Sequence, residues 1–205
     1  MKYVLVLCDG MADYPVKSLN GKTPLEAAKT PNMDALAQTA QIGLVKTVPD
    51  GFKPGSDVAN LGVLGFDART CYTGRSPLEA LSIGIDLKAD DLAMRANLVT
   101  LSDNEPFEDK IMLDYSSGEI DADEACELMD CVKDNFNCDK FRFYTGTSYR
   151  NCLVVSRAKP EEDLTPPHDI SGLRIGEYLP KGTLGKDLTS FVVNSYEILK
   201  DHPVN

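Results

Sequence analysis

YVLVLCDG, Tyr3 to Gly10, is an unbroken apolar run closed by an aspartate and a glycine. It lacks the alternation of a strand with one wet face, and its length is that of a strand buried on both sides, as in a parallel sheet. Working outward, Thr30-Pro31-Asn32 precede MDALAQTA, in which Met33, Leu36, Ala37 and Ala40 fall on one helical face and Pro31 suits the first helical position. Ile42 to Val48 reads as a second strand. A Gly/Pro-rich loop, DGFKPGSD, leads into Val58 to Leu64, which can form a helix directly after Ser56. Strand, helix, strand, loop and helix in that order predict α/β architecture.

The pattern changes near Leu92. LAMRANLVTL, PFEDKIMLDY, KFRFYTG and RNCLVVS read as strands around an acidic helix at Asp121 to Asn135, a combination that suits a small inserted α+β unit. The loop PEEDLTPPHD is polar and proline-rich. A last amphipathic stretch, Gly185 to Lys200, places Leu188, Phe191, Val192, Tyr196 and Leu199 at helical spacing. The expected division is residues 1–88 as the N-terminal part of a core, 89–183 as the insert and 184–205 as a return to the core. With two or three strands the core sheet would be unusually small, and further chain is expected to complete it.

Composition narrows the function classes. The chain has 205 residues, 42% hydrophobic and 26% charged, which suits a folded globular protein. A net charge of −11 argues against non-specific binding to nucleic acid or to an anionic membrane surface, since both require clustered Lys and Arg. A small anionic substrate needs only a few local cations, helix N-termini or metal ions. No apolar run approaches the roughly 20 residues of a membrane span, and Met1 to Leu7 is too short for a secretory signal. A cytoplasmic protein is expected. Its six cysteines form no CxxC pair and are expected to be free, mostly buried thiols.

Several residues stand out chemically. Asp9 sits where the first strand would end, the place where ligands gather in open α/β sheets, and its carboxylate suits a hard or borderline cation. The alternative reading is a plain Asp-Gly turn. Ser56, between Gly55 and a helix, could receive a phosphate held by free backbone N–H groups; alternatively it is an ordinary helix cap. A serine hydroxyl needs a base or a metal to become a nucleophile at neutral pH.

The strings LVLCDGMADYP, TPNMDALA, KPGSDVANLGVLGFD, YTGRSPLEA, MRANLVT, GTSYRN and PPHDISG occur here in the order in which similar strings run through archaeal-type, cofactor-independent phosphoglycerate mutases of the alkaline phosphatase superfamily. The chain resembles the N-terminal portion of that family. The resemblance implies an incomplete alkaline-phosphatase-like α/β core with a smaller α+β insert. It implies two divalent metal ions, Mn²⁺ or Mg²⁺ or a similar ion, and no 2,3-bisphosphoglycerate. Asp9 would be a metal ligand, and Ser56 both a metal ligand and the phosphoryl acceptor.

Arg95, Arg150 and Arg75 stand at positions expected to bind a small phosphorylated metabolite, with Asn97 beside Arg95 and His168 in a substrate-side loop. An arginine fork pairs well with carboxylate or phosphate. The family's remaining metal ligands come from a C-terminal half without counterpart in this sequence. Little turnover by this chain alone, and self-association through an exposed sheet edge, are therefore expected. Two other readings fit the same strings: a homoserine-kinase-like phosphotransferase on the same scaffold, and a non-catalytic domain that keeps the fold.

Overall fold

The structure, a computed structural model, describes residues 2–8, 10–159 and 161–205. The chain divides into two compact units, residues 1–53 and 54–205.

In the first unit, local signals build short helices. Helix α1, Pro24–Ala27, opens with a reciprocal capping box: the Thr23 hydroxyl accepts from the Glu26 N–H at 3.2 Å, and the Glu26 carboxylate accepts from the Thr23 N–H at 2.8 Å. Helix α2, Pro31–Ala37, starts at Pro31 as the sequence predicts, with the Thr30 hydroxyl donating to Asp34 at 3.0 Å. The two apolar runs behave differently. Neither residues 3–8 nor residues 42–48 belong to a strand, and the side chains of 3–8 and 42–46 face solvent: Val4 is 87% exposed and Leu44 105%. The expectation of a first strand buried on both faces, followed by a second, is thus corrected. A strand of that type is stabilised by ladders on both edges and apolar layers on both faces, and no described element supplies them.

The second unit begins with three helices, α3 (Ser56–Val63), α4 (Ala68–Cys71) and α5 (Arg75–Ser82). A three-stranded antiparallel sheet follows in the order β1 (Leu92–Asn97), β5 (Arg150–Val155), β4 (Phe141–Thr147). A smaller hairpin pairs β2 (Thr100–Leu101) with β3 (Met112–Asp114). Helix α6 (Ala122–Phe136) is capped by Asp121, whose carboxylate accepts from the Asp123 N–H at 2.9 Å, and α7 spans Gly185–Leu199. The fold is mixed α and β, and the ladders of both sheets are antiparallel.

Alternation along β1 and β5 sends side chains to two faces. One face, with Met94, Leu153 and Val155, packs on α6 and α7, where Phe136, Phe141 and Phe143 surround Phe191 at ring distances of 4.9 to 5.5 Å. The other face, with Ala93, Cys152 and Val154, packs on Ala80 of α5 and on Ile85. A third apolar cluster joins Phe107, Met112, Ile170 and Ile175, with Tyr196 of α7 packed against it. Lys110 is wholly buried beside that cluster. Its ammonium lies 2.7 Å from Glu105, 3.4 Å from the Ser102 carbonyl and 4.4 Å from the Tyr196 ring centre, so the buried charge is met on three sides.

No cysteine is in a disulfide, but only Cys152 is buried. Cys8, Cys71, Cys126 and Cys138 are exposed, which corrects the expectation of mostly buried thiols. Cys126 lies on the outer side of α6, whose inner side is filled by Ala125, Leu128, Met129 and Val132.

Candidate functional site

Ser56 is the first residue of α3 and is exposed. Gly55 before it is extended, and a β-carbon on Gly55 would lie 2.5 Å from a carboxylate oxygen of Asp57. The space that this glycine leaves is thus filled by Asp57. The Asp57 carboxylate in turn accepts a short hydrogen bond from the Tyr72 hydroxyl. Burial works against the charge on Asp57, but the Tyr72 hydroxyl, the Val58 N–H and the nearby Arg75 outweigh it and hold the carboxyl below its ordinary range. Burial first, and then the bond to Asp57, push the Tyr72 phenol up to about 12. Asp57 and Tyr72 therefore tie the start of α3 to the segment that leads into α5.

Arg75 begins α5 directly after Gly74, whose φ of 137° favours a residue without a β-carbon. One turn on, the Glu79 carboxylate accepts from Arg75 Nε at 2.8 Å. Its second oxygen lies 3.0 Å from Arg95 Nε in β1, an ion pair whose N–H is not aligned as a hydrogen bond. Two of the sequence-predicted arginines, Arg75 and Arg95, thus meet on one carboxylate. The field of Glu79 also reaches β5. Burial, and after it the charge on Glu79, raise the Cys152 thiol to about 11, and Cys152 pairs with Arg95 in the ladder.

Arg150 opens β5 opposite Asn97. Directly opposed residues share a face, so Arg95, Asn97 and Arg150 stand on the same side of the sheet, Arg95 and Arg150 on a diagonal of roughly 7–8 Å. Arg150 donates through Nη2 at 2.8 Å and Nε at 3.1 Å to the Tyr149 hydroxyl. Tyr149 meets Tyr115 edge-on at 6.2 Å, and Tyr115 meets His168 at 6.1 Å. A chain of rings therefore links two further predicted residues, Arg150 and His168. His168 lies in a 3₁₀ turn, Pro167–Ile170, with its Nε2 3.4 Å from Asp169. Asn97 keeps a buried side-chain oxygen without a hydrogen-bond partner on the arginine-bearing face, an acceptor whose desolvation costs about 1–3 kcal/mol until a donor reaches it.

Asp9 lies outside the described residues. Among the described residues no group of three or more His, Cys, Asp or Glu side chains is placed to hold a metal ion. Asp57, the carboxylate next to Ser56, is engaged by Tyr72. The described donors by themselves do not compose a metal centre.

Sequence reasoning missed Asp57, Tyr72, Glu79 and Tyr149. For Glu79 a signal was available in the i,i+4 spacing of Arg75 and Glu79, but the sequence reading placed no helix there, and only α5 brings the two together. Asp57 and Tyr72 are fifteen residues apart in sequence and carry no such signature.

Residues 37–205 match the family model described as 2,3-bisphosphoglycerate-independent phosphoglycerate mutase. A Geobacter sulfurreducens protein named probable 2,3-bisphosphoglycerate-independent phosphoglycerate mutase is 48% identical over 203 residues, covering 99% of this chain and 50% of its own. A Methanosarcina mazei protein named as such a mutase is 47% identical, covering 100% of this chain and 50% of its own. The chain thus spans about half the length of the curated relatives it matches. Among solved structures, the cofactor-independent phosphoglycerate mutase of Thermoplasma acidophilum aligns at a TM-score of 0.54 with 28% identity, over 96% of this chain and 52% of that one. A Pyrococcus horikoshii protein aligns at 0.68 with 30% identity, over 96% of this chain and 44% of that one. With a family match from residue 37 to residue 205 and near-half identity to named mutases along its length, the chain belongs to the 2,3-bisphosphoglycerate-independent phosphoglycerate mutase family.

Proposed function

We propose that this chain forms the nucleophile-bearing half of an enzyme that converts 3-phosphoglycerate to 2-phosphoglycerate without 2,3-bisphosphoglycerate, a step of glycolysis and gluconeogenesis. The observation that carries this reading is the position of Ser56. It is an exposed hydroxyl on the first residue of an eight-residue helix, tied through Asp57 and Tyr72 to the segment that begins with Arg75. The positive end of a helix start favours a phosphate there, with the Val58 N–H already acting on the Asp57 carboxylate.

In the proposed cycle the Ser56 oxygen forms a bond to phosphorus as the bond from phosphorus to the substrate 3-oxygen breaks. The serine proton leaves, and the released alkoxide takes one up. The glycerate reorients, its 2-hydroxyl attacks the phosphoserine, and Ser56 is regenerated. Arg75, Arg95 and Arg150 bind the phosphate and carboxylate, and the open acceptor of Asn97 receives a substrate hydroxyl. His168, at the far end of the Tyr149–Tyr115 contact, closes the substrate side. Divalent ions, Mn²⁺ or a similar ion, would lower the serine pKa and neutralise charge on the transferring group. Asp9 and Ser56 are the proposed ligands from this chain, and the rest must come from donors other than the described ones.

The matching architecture is an alkaline-phosphatase-like core, with residues 1–88 and 184–205 assigned to it and 89–183 to the insert. The change from consecutive helices to an antiparallel sheet at Leu92 supports the first of these boundaries. Among the described residues no helix is long and apolar enough to cross a membrane, and a cytoplasmic enzyme is proposed. An enolase-coupled assay with Mn²⁺ and no added 2,3-bisphosphoglycerate tests the reading. This chain alone is expected to turn over little. A polypeptide that continues through the relatives' second half is expected to be active and to lose that activity on Ser56→Ala. Silence from the folded, metal-loaded longer form would refute the proposal.

A further inference from the structure

We infer that Glu79 is a positioning residue whose carboxylate holds Arg75 and Arg95 together as a two-armed clamp for the phosphate or carboxylate of the substrate. The inference rests on the mutase reading for the identity of the anion. It rests on geometry alone for the clamp. Arg75 belongs to a helix and Arg95 to a strand, and the Glu79 carboxylate joins them, one oxygen to each Nε at 2.8 and 3.0 Å.

Both contacts use the Nε edge, and the terminal nitrogens of both guanidinium groups have no hydrogen bond to a described residue. Those are the atoms that form a fork on an oxyanion. Two cations share the one Glu79 carboxylate, and the Asp57 charge also acts on Arg75. Arg95 is fixed further by partial burial, with 27% of its side chain exposed, and by its place in the middle of β1. Without Glu79, like charge would drive the two guanidinium groups apart.

The sign of the effect separates positioning from simple charge balance. Glu79→Gln makes the cluster more positive, which by itself tightens anion binding; a lost clamp weakens it. The test is a titration of the 205-residue chain with inorganic phosphate and with 3-phosphoglycerate, read at the Arg75 and Arg95 Nε–Hε resonances. In the wild-type chain both resonances are expected to move with one common affinity. Glu79→Gln is expected to lower that affinity about tenfold or more with an unchanged melting temperature. Glu79→Asp, which keeps the charge on a shorter arm, should recover part of it. Unchanged or tighter binding by Glu79→Gln overturns the inference. If the wild-type chain binds neither anion, the mutase reading loses its anion subsite, and the clamp is judged from ligand-free spectra. There Glu79→Gln must move both Nε–Hε signals toward free arginine, and unmoved signals sink it.

Discussion

Residues 42–45 of the first unit and residues 152–155 of the second are both short apolar runs, yet Leu44 is fully exposed while Val155 is fully buried. Composition does not distinguish the two. What differs is the origin of their neighbours. Strand β5 follows β4 through a tight turn at Ser148 and Tyr149, so its first ladder is built locally, and β1 closes the other edge in register from Leu92 to Asn97. Both faces then find helices from the same unit. The runs of the first unit have the composition of parallel strands, which are joined by crossovers and stabilised only when both edges and both faces are covered. An apolar run states that it should be buried and leaves open by what.

The largest effect that would sharpen this contrast is expected at Phe143. Truncation of this buried ring to alanine removes contacts with Phe136 and Phe191, and should cost about 3–5 kcal/mol in urea unfolding. A loss below about 1 kcal/mol would show that the second unit does not unfold as one cooperative core.

Next comes Tyr72→Phe, which deletes the bond to Asp57 and is expected to cost about 1 kcal/mol near neutral pH. Its pH dependence has a definite sign. Asp57 has a folded pKa below the ordinary value, so its contribution is present above about pH 3.9 and is lost as pH falls through the depressed folded value. Tyr72 has a raised folded pKa, so its contribution is present below the ordinary phenol value of about 10 and is lost as pH rises through about 12. The difference between wild type and Tyr72→Phe should therefore vanish at both extremes. A difference independent of pH would point to lost packing instead.

Asp121→Ala removes the carboxylate cap of α6 and should lower stability by about 1 kcal/mol. Circular dichroism during thermal unfolding would show it as a lowered midpoint. The smallest change is expected at the exposed run of the first unit. Leu44→Ser should alter stability by less than about 0.5 kcal/mol, and a loss of about 2 kcal/mol or more would show the side chain to be buried in solution.

Much of the second unit is legible in the amino-acid sequence. The helix beginning at Ser56, the acidic helix from Ala122 to Phe136, the strands at KFRFYTG and RNCLVVS, and α7 all lie within a residue or two of where their periodicity places them. Their signals are local: a cap, an alternation, a period of 3.6. PFEDKIMLDY has the composition of a strand, but it divides into a 3₁₀ turn, Phe107–Asp109, and the short β3. The wholly buried Lys110 sits at that division, held by Glu105 and Tyr196, and no periodicity announces a buried lysine.

By itself the sequence determined the family, through seven ordered strings, and offered Ser56, Arg75, Arg95, Arg150 and His168 as candidate residues of an anion site. It also placed α2, α3, α6 and α7, because helical hydrogen bonds close within four residues, while α1, α4 and α5 went unread. Only the tertiary structure decided that Arg75 and Arg95 converge on Glu79, that Asp57 is held by Tyr72, and that Arg150 reaches His168 through two tyrosines. It also decided that Val155 is buried while Leu44 faces water. Burial and charge pairing depend on what lies within a few ångströms in space, and residues distant along the chain supply those neighbours.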